Sequence, residues 1–205
     1  FTTLTALAAD NNWRIVIYLT GTKTNLKEQT SSRLRQDLLF DENEYYKIFT
    51  DPSISDRNRI KNFMEIGQEV LLFPILKHYK HINSLAQIFE DPEIKNLVKN
   101  FGVIIIDDEA DQASVNTGYD YDENGNVIDE YDVKTINKLI RSLFKMFECR
   151  SYVGYTATPY ANIFIPNDIR VATEELGNDL FPADCIISLP KPYRYIGANE
   201  FFGYG

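Results

Sequence analysis

Val103-Ile-Ile-Ile-Asp-Asp-Glu-Ala-Asp111 passes from four consecutive β-branched apolar residues to a knot of carboxylates without a break. An unbroken apolar run, rather than an alternating one, marks a strand buried on both faces. Such strands belong to parallel sheets covered by helices on both sides, and ligands bind at the carboxyl ends of their strands. The acids of this stretch sit at such an end. A carboxylate there can hold a magnesium ion beside nucleotide phosphates, and a second one can orient an attacking water.

Outward from this strand the pattern repeats. Residues 14–19 (RIVIYL) form a second continuous run, and shorter strands are expected at 45–49, 70–76, 152–155 and 185–188, with Pro74 a weak point in the second of these. Between them lie helical segments. Asn25 followed by Glu28 makes a capping box opening a helix to about Leu38. Further helices are expected over 82–89 and from Pro92 onward, proline being well placed in a first turn. Val133, Ile136, Ile140, Phe144 and Phe147 recur at helical spacing, predicting an amphipathic helix over 133–148. Strands alternating with helices predict an α/β fold with a parallel sheet sandwiched by helices.

Composition narrows the class. With 205 residues, 44% hydrophobic and 13% aromatic, the chain can bury one sizeable core and is too apolar for a disordered tail. The apolar stretch 70–76 is far short of the ~20 residues needed to span a bilayer. Two cysteines, Cys149 and Cys185, and two distant histidines exclude a disulfide scaffold and a Cys/His zinc site, and suit a reducing cytoplasm. The net charge of −9 comes from one place: residues 107–132 hold ten acids and no base, and the remainder is close to neutral, at +1. The acidity therefore does not argue against a nucleic-acid partner. The chain opens at Phe1, inside a helical pattern (Leu4, Leu7, Ala8), and ends at Gly205 without a capping element, so a piece of a longer protein is expected. Residues 1–165 are read as the sheet domain and 166–205, richer in Pro and Gly, as a segment connecting to a following domain.

Three motifs carry chemistry. Asp108-Glu109-Ala110-Asp111 spells D-E-A-D and resembles the Walker B motif of superfamily-two helicases. That resemblance implies Asp108 as the magnesium ligand and Glu109 as the general base, with Asp111 beside them. Without it, the same acids read as a helix start favoured by the macrodipole. Tyr152-Val-Gly-Tyr-Thr156-Ala157-Thr158-Pro159 follows after one helix and one strand, and resembles the S/T-A-T motif that couples nucleotide state to nucleic-acid binding in those helicases. Its small hydroxyls can bond the Walker B carboxylates; alone, it reads as a Ser/Thr turn before a proline. The segment Leu19-Thr20-Gly21-Thr22-Lys23 through Lys27 and Gln29 resembles the stretch, P-T-x-E-L-x-x-Q, that contacts a nucleic-acid backbone, although the usual Pro and Glu are absent. Lys23, Lys27, Arg33 and Arg35 make it locally basic, as phosphate contacts require, and equally as a solvated helix face would be.

With these motifs placed, the chain resembles the Z-one domain family of bacterial proteins, whose members carry an endonuclease description. The match rests on Leu19-Thr-Gly-Thr22 with Gln29-Thr30, on Ile106-Asp-Asp-Glu-Ala-Asp-Gln-Ala-Ser114, on Tyr152-Val-Gly-Tyr-Thr-Ala-Thr-Pro-Tyr-Ala-Asn162 and on Asp179-Leu-Phe-Pro182. The resemblance implies a helicase-like ATPase with a RecA-like first motor domain, ATP and Mg2+ as cofactors, and nucleic acid, DNA before RNA, as partner. It also implies a role beside other proteins in bacterial defence against phage or foreign DNA. A phosphate loop, G-x-x-x-x-G-K-[ST], occurs nowhere in the 205 residues, since Gly21-Thr22-Lys23-Thr24 lacks both the adjacent Gly-Lys and the earlier Gly. It is expected upstream of Phe1. The other reading of the 107–111 acids is a metal-dependent endonuclease using two-metal hydrolysis.

Other patterns take structural readings. Asp120-Tyr-Asp122-Glu-Asn124-Gly125 mimics half of an EF-hand loop, but Tyr131 stands where the bidentate glutamate belongs and Asn124-Gly125 is a hairpin signal. Glu93-Ile94-Lys95 has a nuclease-like spacing on an expected helix. Lys77, His78, Lys80 and His81 read as a basic helix start.

Overall fold

A computed structural model describes residues 1–39, 45–112, 114, 135–163, 180, 182–190, 196–197, 201 and 203. Its centre is a five-stranded, all-parallel sheet in the order β2-β3-β1-β4-β5, with β1 Trp13–Thr20, β2 Tyr46–Ile48, β3 Val70–Leu76, β4 Gly102–Asp108 and β5 Arg150–Tyr155. The two continuous apolar runs are neighbours: Ile17 lies opposite Ile105 and Leu19 opposite Asp107. Because all strands run the same way, their carboxyl ends share one edge. That edge carries Thr20-Gly21, Asp51, Lys77, the 108–111 acids and Thr156-Ala157-Thr158.

Both faces are covered, as the unbroken runs require. Alternate strand residues split between two cores. Ile15, Ile17, Leu71, Phe73, Val103 and Ile105 pack with α3 (Arg57–Ile66), α4 (Tyr79–Glu90), α5 (Pro92–Val98) and α6 (Thr135–Lys145). Val16, Tyr18, Leu72, Ile104 and Ile106 face the other way, onto α1 (Thr2–Asp10) and α2 (Thr24–Leu38). Among the described residues no helix is long and apolar enough to cross a membrane.

Several expectations need correction. The capping box at Asn25 does not form: α2 starts at Thr24 after an extended Lys23, so Asn25 already lies inside the helix and its Oδ1 accepts only from the N–H of Leu26 (3.0 Å). Helix α3 had no counterpart in the sequence reading, although Ile60, Phe63 and Met64 carry helical spacing; it ends on Gly67 at φ 69°, a left-handed cap that glycine adopts without strain. Residues 185–188 are exposed and belong to no strand among the described residues. Pro74, by contrast, is accommodated inside β3. Its carbonyl accepts from Asp51 N–H (3.1 Å), so the N–H it lacks points past the end of β2, where no ladder bond is lost. The hairpin and EF-like stretch 117–131 and the 165/166 boundary lie outside the described residues.

Candidate active site

Strand β4 ends on two aspartates with different environments. Asp107, within the sheet, is fully buried; its carboxylate pairs with the equally buried Lys77 (Nζ–Oδ1 2.6 Å) and accepts from the Tyr152 hydroxyl of β5. Asp108, one residue on and on the opposite face, is only partly buried. Burial pushes its carboxyl above the ordinary aspartate range, against the opposing pull of the Glu109 N–H and the nearby Lys77 ammonium. Its Oδ1 accepts that N–H at 3.2 Å. Among the described residues no other side chain engages Asp108, which fits a group available to a hard cation.

The next residue turns the chain sharply. Glu109 has φ 51°, in the left-handed region that costs a non-glycine residue about 1–3 kcal/mol. Its side chain lies against the turn after β1: a Cβ built on Gly21 would be 3.0 Å from a Glu109 carboxylate oxygen and 2.6 Å from Leu26. A side chain at 21 would have to displace the ends of the Leu26 and Glu109 side chains.

Asp111 is held from β5. Thr156 donates its hydroxyl to one carboxylate oxygen (2.6 Å) and Thr158 to the other (2.7 Å), while the Thr158 N–H donates to Thr156 Oγ1 (2.9 Å). Desolvation raises the Asp111 carboxyl, but the two hydroxyls, together with its own N–H and the Lys77 ammonium, hold the group below the ordinary range. Ala157 is the exposed spacer that lets both threonines face one carboxylate. The turn is further anchored by the Ala110 N–H on the Tyr155 carbonyl (2.9 Å) and by the Asn162 amide donating to the Ala110 carbonyl (3.1 Å).

The segment after β1 is less uniform than its sequence suggests. Thr20 is buried, its hydroxyl donating to the Ile75 carbonyl (3.0 Å), and Gly21 is buried too, so these two shape the turn rather than offer a surface. Thr22, Lys23 and Gln29 are exposed. Lys27 is paired with Asp51 at 2.5 Å, and Asp51 also accepts the Leu76 N–H (2.8 Å) and faces His81 (3.5 Å). The basic helix start is real for His78, whose Nδ1 accepts the Lys80 N–H at the head of α4 (3.3 Å). It is wrong for Lys77, which turns inward. Lys77, Asp51 and Asn162 are the residues of this edge to which the sequence reading gave no role here; an ammonium placed directly after a fully apolar strand was the available signal for the first.

The fold and this edge define an α/β protein with a five-stranded parallel sheet and an acidic turn at its carboxyl end. Comparison with protein-family models, with curated proteins and with solved structures found no match.

Proposed function

We propose that the chain is a RecA-like first motor domain of a nucleic-acid-dependent, helicase-like ATPase, acting on DNA in the cytoplasm within a bacterial defence or restriction system. The observation that carries this reading is the arrangement of the three carboxylates. Among the described residues no side chain hydrogen-bonds the Asp108 or Glu109 carboxylate, while Asp111 is clamped on both oxygens by Thr156 and Thr158, just beyond the end of β5. In this reading Asp108 holds Mg2+ through its partly buried carboxylate, and the ion supplies charge neutralisation at the ATP phosphates. Glu109 accepts the proton of the attacking water. The Thr-Ala-Thr clamp ties the acidic turn to β5, so that a shift of either is felt by the other. Thr22, Lys23 and Gln29 offer donors to a phosphate backbone.

The endonuclease reading of the 107–111 acids is less well supported, because Asp107 is committed to Lys77 and Asp111 to two hydroxyls. Two-metal hydrolysis needs more open carboxylates than remain. The test is ATP hydrolysis by the intact protein with and without added DNA or RNA, run beside a nicking assay on supercoiled DNA. Nucleic-acid-stimulated hydrolysis lost in Asp108→Asn supports the motor reading. Absence of any ATP binding or hydrolysis, with metal-dependent nicking that needs Asp108, would replace it by the nuclease.

A further inference from the structure

We propose that Lys77 is a positioning residue that holds the acidic turn in its working shape; this rests on the reading of 108–111 as the hydrolytic turn. Lys77 follows β3, yet β1 lies between β3 and β4. Its backbone N–H stays with β1, donating to the Thr20 carbonyl (3.2 Å), while its side chain crosses beneath the end of that strand to reach β4. There the ammonium is fully buried against Asp107, 2.6 Å away. A buried pair of this kind is weak evidence for stability in itself, since desolvation of two ions consumes most of the attraction.

What distinguishes this ammonium is the rest of its shell. It also donates to the carbonyls of Asp108 (2.7 Å), Glu109 (3.0 Å) and Gln112 (3.1 Å). Its three protons thus match three carbonyl oxygens of one turn, with the Asp107 carboxylate beside them as the counter-charge. Carbonyl dipoles converging on a point repel one another unless a cation or a set of donors sits there. The left-handed Glu109 turns its carbonyl toward that point, and the strain of its φ of 51° persists only while something over-determines it. Lys77 supplies that constraint from inside the fold. The threonine clamp fixes Asp111 from the β5 side, and Lys77 fixes the carbonyls on either side of Glu109 from the β3 side. Glu109 is then aimed by residues that never touch the substrate.

The experiment compares Lys77→Met/Asp107→Asn with Lys77→Gln/Asp107→Asn in the intact protein. Both remove the buried charges together and leave Tyr152 a partner at 107, but only glutamine keeps two donors for the carbonyls. Melting temperature, ATP KM and kcat with DNA present, and amide hydrogen exchange over 108–112 are measured for each and for the wild type. The methionine variant is expected to keep its KM, to lose about 10²-fold in kcat as a misplaced catalytic group does, and to exchange its turn amides faster. The glutamine variant is expected to recover part of both. Equal kcat in the two variants, or turn protection equal to wild type in the methionine variant, overturns the proposal. If the wild type neither binds nor hydrolyses ATP, the motor reading fails by itself, and the exchange data still decide whether Lys77 fixes the turn.

Discussion

The turn after β4 and the turn after β1 leave the same edge of the sheet side by side, with Glu109 against Gly21, yet they are built on opposite plans. The β4 turn is tied down from within: Lys77 binds three of its carbonyls, Asn162 a fourth, and two threonines its last carboxylate. The β1 turn buries Thr20 and Gly21, then exposes Thr22 and Lys23 and leads into α2, where Gln29 faces solvent. A group that must meet a reacting water within a fraction of an ångström needs the first plan. A surface that follows a flexible, repetitive polyanion is served by the second, since phosphate contacts position without reading sequence. On the proposed reading this is a division of labour along one edge, with chemistry where the turn is tied down by side chains and contact where side chains face solvent.

The largest effect should come from the fixed turn. Glu109→Gln keeps the size and most hydrogen bonds of the side chain and removes the base. ATP and nucleic-acid binding by the intact protein should survive, while hydrolysis falls by about 10²–10⁴-fold, the usual worth of general-base catalysis. Asp107→Asn tests the register. Since Asp107 is buried on Lys77, its loss should reduce stability more than it changes metal–nucleotide binding. A Glu109→Gln protein that hydrolyses ATP normally while Asp107→Asn does not would break the comparison, because the chemistry would then sit one residue earlier.

A smaller effect is expected at the clamp that joins the fixed turn to β5. Thr158→Ala removes the hydroxyl on one oxygen of Asp111 and leaves Thr156 on the other. Basal hydrolysis should persist and its stimulation by nucleic acid should fall, with Asp111→Asn intermediate between this variant and Glu109→Gln. Stimulation unchanged in Thr158→Ala would show that the clamp is a structural turn with no coupling role.

These residues also show how far the sequence could be read. The buried runs 14–19 and 103–106 contain no polar residue after Arg14, and a strand with no solvated face has only one kind of sheet to join, so the parallel α/β fold was legible. The match of Thr156 and Thr158 to an acid was legible too, as small hydroxyls at a neighbouring strand end. For Lys77 the one signal, its place directly after an apolar strand, is outweighed by the local signature of a solvated helix start among His78, Lys80 and His81, and it is the position of β4 two strands away that draws it inward. The contribution of Lys27 to the basicity of this segment was illegible for the same reason: Asp51, 24 residues away, pairs with it through a contact that no local window contains.

That pairing sharpens the prediction for the open turn. Two lysines there would nominally contribute two phosphate contacts, but Lys27 already has a carboxylate partner at 2.5 Å. Lys23→Ala should therefore lower the salt slope of nucleic-acid binding by about one phosphate equivalent, and Lys27→Ala by less. Binding curves between about 50 and 200 mM salt measure both. Equal slopes for Lys23→Ala and the wild type would move the polymer surface away from this turn.

The smallest effect is a pH-dependent one at the clamp, and its sign follows from the direction of the Asp111 shift. Burial alone would raise that carboxyl, yet the hydroxyls of Thr156 and Thr158, with its own N–H and the Lys77 ammonium, bring it below the ordinary value, so the native state favours the ionised form. A carboxylate depressed on folding contributes stability that is present above its unfolded pKa of about 3.9, and that is lost as the pH falls through the lower folded value. Thr158→Ala removes one of the two stabilising donors while leaving the burial in place. The variant should therefore melt below the wild type at pH 7 and at pH 5, and the gap should close as the solution is acidified below about pH 4. Thr158 is exposed, so solvent screening keeps the difference under about 1 kcal/mol, a shift of about 2–4 °C at most for a domain of this size. Thermal melts of the two proteins at several pH values between 3 and 7 check it. A gap of the same size throughout would mean that Thr158 stabilises the turn through packing alone, and that the bond to Asp111 carries no charge-dependent part.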